Sequence, residues 1–345
     1  MSKSVITIYD IARSLGISPS TVSRALKDDS IISIETRKKV KQTAREMGYQ
    51  PNSIASSLRN KKTLTIGVIT HRIDRHFQSN AISGIQDKAH EHGYNIIICQ
   101  TNDDPTRELK QFQALFSSRI DGLISQLSMY TRDYEHFNLF LENDIPVVLF
   151  DRVPRDLDVQ KVVSDDVAGG YKATEHLILQ GCRRIAHFTG ALSLNIYEDR
   201  LKGYKAALEK YQIPFDPELV HEFYLNTDNS WEVARKVLKD KKNRPDSIFA
   251  ANDTSAIASI QVAKELGIGV PSELAVVGYA NDPSGLIVSP TLSTVDQSSY
   301  RMGQIATELL LKQIDSNKPG RNRPHRTKVL PVELIIRESS SRRLP

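Results

Sequence analysis

Residues 7 to 27 read Thr-Ile-Tyr-Asp-Ile-Ala-Arg-Ser-Leu-Gly-Ile-Ser-Pro-Ser-Thr-Val-Ser-Arg-Ala-Leu-Lys, the pattern of two short helices joined by a tight turn. Ile8, Ile11, Ala12 and Leu15 recur at helical spacing, and Gly16 stands where a chain leaving a helix needs positive φ. Ser18 then serves as an N-cap with Pro19 at the first helical position. So short a connection fixes a steep angle between the helices. Val22, Ala25 and Leu26 face helix one, which turns Pro19, Ser20, Ser23 and Arg24 outward. An outward arginine suits a base edge, because a guanidinium makes two parallel hydrogen bonds to guanine O6 and N7, worth roughly 1–3 kcal/mol of discrimination. A third helix starts at the Ser33 cap with Glu35 in its first turn and runs through Val40, Ala44 and Met47 to a Gly48 stop.

Charge supports a phosphate-backbone partner. Residues 1–62 hold 12 Lys and Arg against 5 Asp and Glu, a net of +7, while the rest holds 34 against 36, a net of −2. All the excess positive charge therefore lies in the first sixth of the chain, the footprint of a basic module on a near-neutral body. Pro51 can open one more helix of barely two turns, too short to hold together in water without DNA or a copy of itself.

The quoted motifs, with Gly-Tyr-Gln-Pro-Asn at 48–52, Ala-Ser-Ser-Leu-Arg at 55–59 and Thr-Ile-Gly-Val-Ile at 65–69, resemble the lactose-repressor/galactose-repressor (LacI/GalR) family of bacterial transcription regulators. The resemblance implies that Pro19, Ser20 and Arg24 read bases in the major groove, while Ala55 and Leu58 of a hinge helix enter the minor groove with Leu58 as a wedge. It also matches Thr7, Ser18, Thr21, Ser23, Thr36, Tyr49 and Asn52 to positions that touch phosphates. Ser56 departs from the arginine often found there, which removes one hinge contact to the backbone.

Beyond the hinge, apolar runs of strand length alternate with helical stretches: 64–70, 94–99, 122–125 and 146–150, then 184–189, 247–251 and 274–278. Alternating βα units imply parallel sheets covered on both faces, and two series of them imply two α/β subdomains. The expected fold is thus an all-α helix-turn-helix headpiece plus a periplasmic-binding-protein-like α/β body of two doubly wound parallel-sheet subdomains. The expected boundaries are headpiece 1–50, hinge helix and linker 51–62, and body 63–345. Within the body, subdomain one takes about 63–163 and 293–325, and subdomain two about 164–292 and 326–340, with one last strand over 329–336.

In such folds ligands sit at the carboxyl ends of the strands. The loops there carry Arg75, His76, Phe77, Asp151, Asp165, Arg200, Asn226, Asn252, Asp253 and Asn281 as candidate effector contacts. Carboxylates, amides, an arginine and an aromatic face are what a polyhydroxylated ligand needs. An Asp or Asn after a strand is also the ordinary N-cap of the next helix, so each residue alone has a second explanation. The resemblance places Phe77, Asp151, Asp165, Arg200, Asn226, Asn252 and Asp253 at family effector positions, with Arg75 and His76 beside them. Tyr279-Ala280-Asn281 stands where many members have Phe-Asp-Asp or Tyr-Asp-Asn, so a ligand-gripping carboxylate is exchanged for a methyl; Asp282 is the alternative grip. With Arg75, His76 and Arg200 this points to a sugar acid or sugar phosphate over a neutral sugar.

Cys99 and Cys182 have no CxxC spacing, so neither a zinc site nor a disulfide framework is expected, and a reducing cytoplasm fits. No signal peptide and no membrane-length apolar run is read from the sequence. No phosphate-cradling glycine loop and no nucleophile elbow occurs, so no enzyme, metal or cofactor is expected. Gly169-Gly170 eases helix packing, and 316–328 reads as a surface loop. The expected function is a DNA-binding regulator, in the sense of a repressor, acting as a homodimer on a near-palindromic double-stranded operator under a small sugar-like effector. A protein corepressor, or a sugar-binding protein without a DNA role, is the alternative.

Overall fold

A computed structural model describes residues 6–49, 62–316 and 326–342. The chain divides into two compact units, Met1–Thr63 and Leu64–Pro345.

In the first unit, helices α1 (Ile8–Leu15), α2 (Pro19–Leu26) and α3 (Ile34–Glu46) start and stop where their caps dictate. The Thr7 backbone N–H and hydroxyl both donate to Asp10 Oδ2, at 2.9 and 2.7 Å. Gly16 ends α1 in the left-handed region at φ +65°, which only a residue without a Cβ adopts freely. Ser18 Oγ accepts from the Thr21 N–H at 3.1 Å, and Ser33 Oγ from the Thr36 N–H at 3.2 Å. Ile11, Ala12, Val22, Ala25, Val40 and Ala44 form the core, small enough to leave the module only marginally stable by itself.

The second unit holds two six-stranded sheets. Strands β1 (Thr65–Thr70), β2 (Asn95–Gln100), β3 (Gly122–Ser125), β4 (Val147–Phe150) and β5 (Gln160–Ser164) belong to the first sheet. Strands β6 (Ile185–Thr189), β7 (Val220–Glu222), β8 (Ser247–Ala250), β9 (Ala275–Tyr279) and β10 (Ser293–Asp296) belong to the second. The last two strands return one to each: β11 (Thr327–Leu330) pairs with β5, and β12 (Glu333–Ile335) pairs antiparallel with β10. The orders are β11-β5-β4-β3-β1-β2 and β12-β10-β9-β8-β6-β7, so both lobes follow one plan.

The chain crosses between lobes later than the sequence suggested. Residues 293–296 pair with β9 and so belong to the second lobe, and 327–330 pair with β5 and so belong to the first. The expected single strand over 329–336 is two strands, because Pro331 has no N–H to continue a ladder and the chain changes sheets there.

Helices cover both faces of the sheets, and two pairs approach at backbone distance. A Cβ on Gly170 of helix Asp166–Leu179 would run into the Arg200 carbonyl of helix Asn195–Lys210, and one on Gly203 into the Val167 carbonyl. Gly84 and Gly303 do the same for helices His76–Glu91 and Ser299–Asp315. The first contact matters for function, since it draws the Arg200 backbone against the helix that carries Asp166. The hinge residues Asn52, Ala55, Ser56 and Leu58, and most of 316–328, lie outside the described residues.

Candidate nucleic-acid interface and interlobe cleft

The outer face of α2 is what the helical period requires. Ser20 and Arg24 are exposed, and Pro19, Thr21 and Ser23 are half-buried. Among the described residues no hydrogen bond or ion pair holds the Arg24 guanidinium, so its donors face solvent. Ser18 Oγ lies 2.7 Å from the Ser20 hydroxyl and 2.8 Å from that of Thr21, which groups three hydroxyls at the start of the helix. Helix N-termini of this kind accept a phosphate through their free N–H groups. Thr7 is exposed at the start of α1, and Thr36 is half-buried in the first turn of α3. Tyr49 packs against the core, which limits it to a contact through its edge.

Between the lobes of the second unit lies a cavity of about 120 Å³. The first lobe contributes His71, Arg72, Arg75, His76, Phe77, Gln78, Asp103, Asp151 and Arg152, and the second Tyr197, Arg200, Asn252, Asp253, Tyr279 and Ala280, among others. Nearly all of these follow the carboxyl end of a strand or open the next helix.

Seven of the ten expected effector residues meet here: Arg75, His76, Phe77, Asp151, Arg200, Asn252 and Asp253. Three do not line the cavity. Asp165 caps helix Asp166–Leu179 by accepting from the Ala168 N–H at 3.0 Å, and Asn226 caps helix Thr227–Lys239 by accepting from the Asn229 N–H at 2.9 Å. Asn281 donates to Asp296 and accepts from Arg337, and it lines an adjoining cavity instead. In these two the side chain is engaged by a helix N-terminus, which supplies a fixed donor at hydrogen-bond distance. Asn252 does both, capping helix Asp253–Glu265 at the Ser255 N–H (2.9 Å) while lining the cleft.

Charges in the cleft are mostly matched within the protein. Arg152 Nη1 meets Asp103 Oδ1 at 2.6 Å; burial is the strongest single influence on the Asp103 carboxyl and raises it, but Arg152, His71 and the Met129 N–H together outweigh burial and hold the carboxyl low. Arg200, only 4% exposed, has Nε 2.9 Å from Asp166 Oδ1, donates from Nη1 to the Ala251 carbonyl at 2.8 Å, and lies 3.8 Å over the Tyr279 ring. Tyr279 in turn donates to Asp166 at 2.9 Å. Arg200 is therefore built into the wall and has few donors left for a ligand.

Asp151 is 5% exposed, and burial pushes its carboxyl up to about 6. Asp253 is pushed to about 6 by burial too, although it accepts from the Thr294 hydroxyl and the Asp282 N–H at 2.6 Å each. Burial, with help from Arg152, takes His71 down to about 3, so its ring is neutral, with Nδ1 3.3 Å from Gln126 Oε1.

Several contacts join the lobes across the cleft. Asn195 accepts from the Val153 N–H and donates to the Asp151 carbonyl, both at 2.9 Å. Tyr224 donates to Asp103 at 3.3 Å, and Arg75 donates to the Thr254 hydroxyl at 3.3 Å. Asp103, Gln78, Asn195 and Tyr224 were not expected from the sequence. Asp103 had a signal: it follows β2 as Asp151 follows β4, and both adopt positive φ, +60° and +59°.

Comparison with known proteins settles the family. Residues 7–52 match the model for bacterial regulatory proteins of the lacI family, and residues 174–340 match the periplasmic binding protein-like domain. The chain is 34% identical to the HTH-type transcriptional regulator DegA of Bacillus subtilis over 336 residues, covering 97% of this chain and 98% of that one. It belongs to the LacI family. The Ribose operon repressor of Halalkalibacterium halodurans is 32% identical over 335 residues, covering 97% of each chain. Among solved structures, the lac repressor dimer bound to operator and the anti-inducer ONPF is similar with a TM-score of 0.84 at 25% identity, covering 97% of this chain and 99% of that one. The CelR-cellobiose complex is similar at 0.73 and 27%, with the same coverage. This LacI-family chain is accordingly a DNA-binding transcriptional regulator with a small-molecule-binding body. Among its described residues no helix is long and apolar enough to cross a membrane, and no group of three or more His, Cys, Asp or Glu is placed to hold a metal.

Proposed function

We propose that the protein is a cytoplasmic homodimeric repressor whose affinity for a near-palindromic operator is set by one small polyhydroxylated molecule per chain, held between the lobes. The observation that carries this reading is the cleft: Asp151 from one lobe and Asn252 from the other line one cavity, beside interlobe hydrogen bonds through Asn195. A ligand that bridges the lobes binds their closed arrangement better than an open one, and only such a differential affinity shifts a conformational equilibrium. Relatives named as repressors, and solved complexes with operator or with cellobiose, support the two halves of the reading.

In this reading Pro19, Ser20 and Arg24 face bases, and Thr7, Ser18, Thr21, Ser23, Thr36 and Tyr49 face phosphates. Asn52 also faces a phosphate, and Ala55 and Leu58 extend the contact into the minor groove. Two copies are needed because one α2 spans too few base pairs, and a two-fold dimer places its recognition helices one helical turn apart. The headpiece takes 1–50 and the hinge 51–62. The role is binding, not catalysis: the cleft's carboxylates and guanidinium groups serve as acceptors and donors to a ligand and to one another.

The test is operator affinity with and without ligand. A sugar-class ligand that raises the melting temperature of the protein should change operator affinity. A ligand that stabilises the body yet leaves operator affinity unchanged would contradict the regulatory link.

A further inference from the structure

We infer that the effector carries a negative charge and sets it against Arg75. This rests on the reading of the interlobe cleft as the effector site.

Most of the cationic side chains that line the cleft are paired. Arg72 Nη2 meets Asp74 at 2.5 Å, Arg152 meets Asp103 at 2.6 Å, and Arg200 meets Asp166 at 2.9 Å. Among the described residues Arg75 has no ion pair. Among these residues its guanidinium hydrogen-bonds only the Thr254 hydroxyl of the other lobe, at 3.3 Å, and Asp74, which also feels its charge, is bonded to Arg72. The carboxylates run the opposite way. Asp103 is held by Arg152, Asp253 accepts from Thr294 and from the Asp282 N–H, and Asp282 accepts from the Ser284 N–H at 2.8 Å. Of the cleft's carboxylates, Asp151 alone has no cationic or backbone donor bonded to it among the described residues, and its side chain hydrogen-bonds Gln78. The cleft therefore offers one carboxylate without an ion pair, suited to ligand hydroxyls, and one guanidinium without an ion pair, suited to an anion.

Two further observations point the same way. Arg152, 4% exposed and lining the cavity, has a buried Nε with no hydrogen-bond partner in the structure. Arg75 is also the N-cap of helix His76–Glu91, whose first turn has neither a side-chain cap nor an acidic residue, so its positive end faces the same ligand space. The wall opposite agrees. Position 280 is alanine at φ +115°, a conformation that L residues seldom adopt, and it lines the same cavity as Arg75. An aspartate there would add a carboxylate to the cavity that Arg75 lines and compete with an anionic ligand. A carboxylate or phosphate on a hydroxylated carbon skeleton, a sugar acid or a sugar phosphate, fits both ends.

The experiment is calorimetric titration of the full chain with D-glucose, D-galactose and D-ribose, each beside its anionic relatives: gluconate, galacturonate, glucose 6-phosphate and ribose 5-phosphate. Inorganic phosphate serves as the charge-only control. At least one anion is expected to bind about tenfold or more tighter than its neutral parent, one charge-assisted contact being worth that much. Arg75→Gln and Ala280→Asp should each remove the preference, and Arg75→Lys should keep part of it. The acid and phosphate arms then decide which anion it is. If a neutral sugar binds as tightly as its anions and Asp151→Asn abolishes that binding, the cleft remains the effector site and this inference alone falls. If Arg75→Gln leaves anion affinity unchanged, the inference falls as well. Should no member of either class bind, the inference and the effector reading fall together.

Discussion

The headpiece and the body treat polar side chains in opposite ways. Ser20 and Arg24 stand exposed on α2, and Arg24 has no partner among the described residues. Arg152, Arg200, Asp103 and Asp166 are buried in the body and paired with each other at 2.6 to 2.9 Å. The difference follows from what each binds. A DNA duplex is large and regular, so a reader can leave its side chains free in water and order them on contact. A small ligand offers few contacts, so its pocket must be held in shape beforehand by the protein's own bonds. Substitutions in the two regions should therefore differ in size and in what they disturb.

The largest effect is expected at Arg200. Arg200→Ala leaves Asp166 buried without its charge partner, which costs about 3–5 kcal/mol. Denaturant unfolding of the body measures it, and a loss below about 1 kcal/mol would place Arg200 with the free headpiece residues. Asp151 sharpens the contrast through pH. Its carboxyl rises from 3.8 to about 6 in the folded state. Protonation therefore favours the native form: that stability is fully present below pH 3.8 and is lost as pH rises through about 6. The change amounts to about 3 kcal/mol. Asp151→Asn should thus gain stability over the unmodified protein between pH 4 and pH 7, by up to about that amount, in melting curves taken across that range. A gap independent of pH would mean the buried carboxylate is not under tension.

Smaller effects are expected in the headpiece. Arg24→Ala should weaken specific operator binding by roughly 1–3 kcal/mol per half-site and relax one base preference. Its melting temperature should hardly move, since exposed positions without partners stay within about 0.5 kcal/mol. Ser18→Ala removes the cap on the Thr21 N–H and should cost about 0.5–2 kcal/mol of headpiece stability, read by thermal unfolding monitored by circular dichroism. If Arg24→Ala unfolded the headpiece more than Ser18→Ala did, the division between reading and structural residues would be wrong.

Legibility in the sequence followed the range of the interactions. The headpiece was readable nearly to the residue, because Gly16, Ser18, Pro19 and Ser33 act on neighbours within three positions. The βα order of the body was readable from apolar runs, whereas the crossovers at 296 and 330 were not, since which sheet a strand joins is decided by partners far along the chain. In the cleft, Asp151 and Asn252 could be placed from their positions after strands. Asp165 and Asn226 share that signature and turned out to cap helices, and local sequence does not separate the two uses. Tyr224 and Asn195 had no signal, because each acts on a residue of the opposite lobe.

In this reading, occupancy of the cleft sets operator affinity. Fluorescence anisotropy of a labelled near-palindromic operator, titrated with protein at zero and saturating concentrations of the ligand found by calorimetry, tests it directly when run beside Asp151→Asn. The unmodified protein is expected to show a ligand-dependent change of about 5- to 150-fold in operator affinity, the usual span of a coupling free energy. The variant is expected to show a ratio near one at the same ligand concentration. An equal ratio in both proteins would contradict it and place the control of DNA binding outside the cleft.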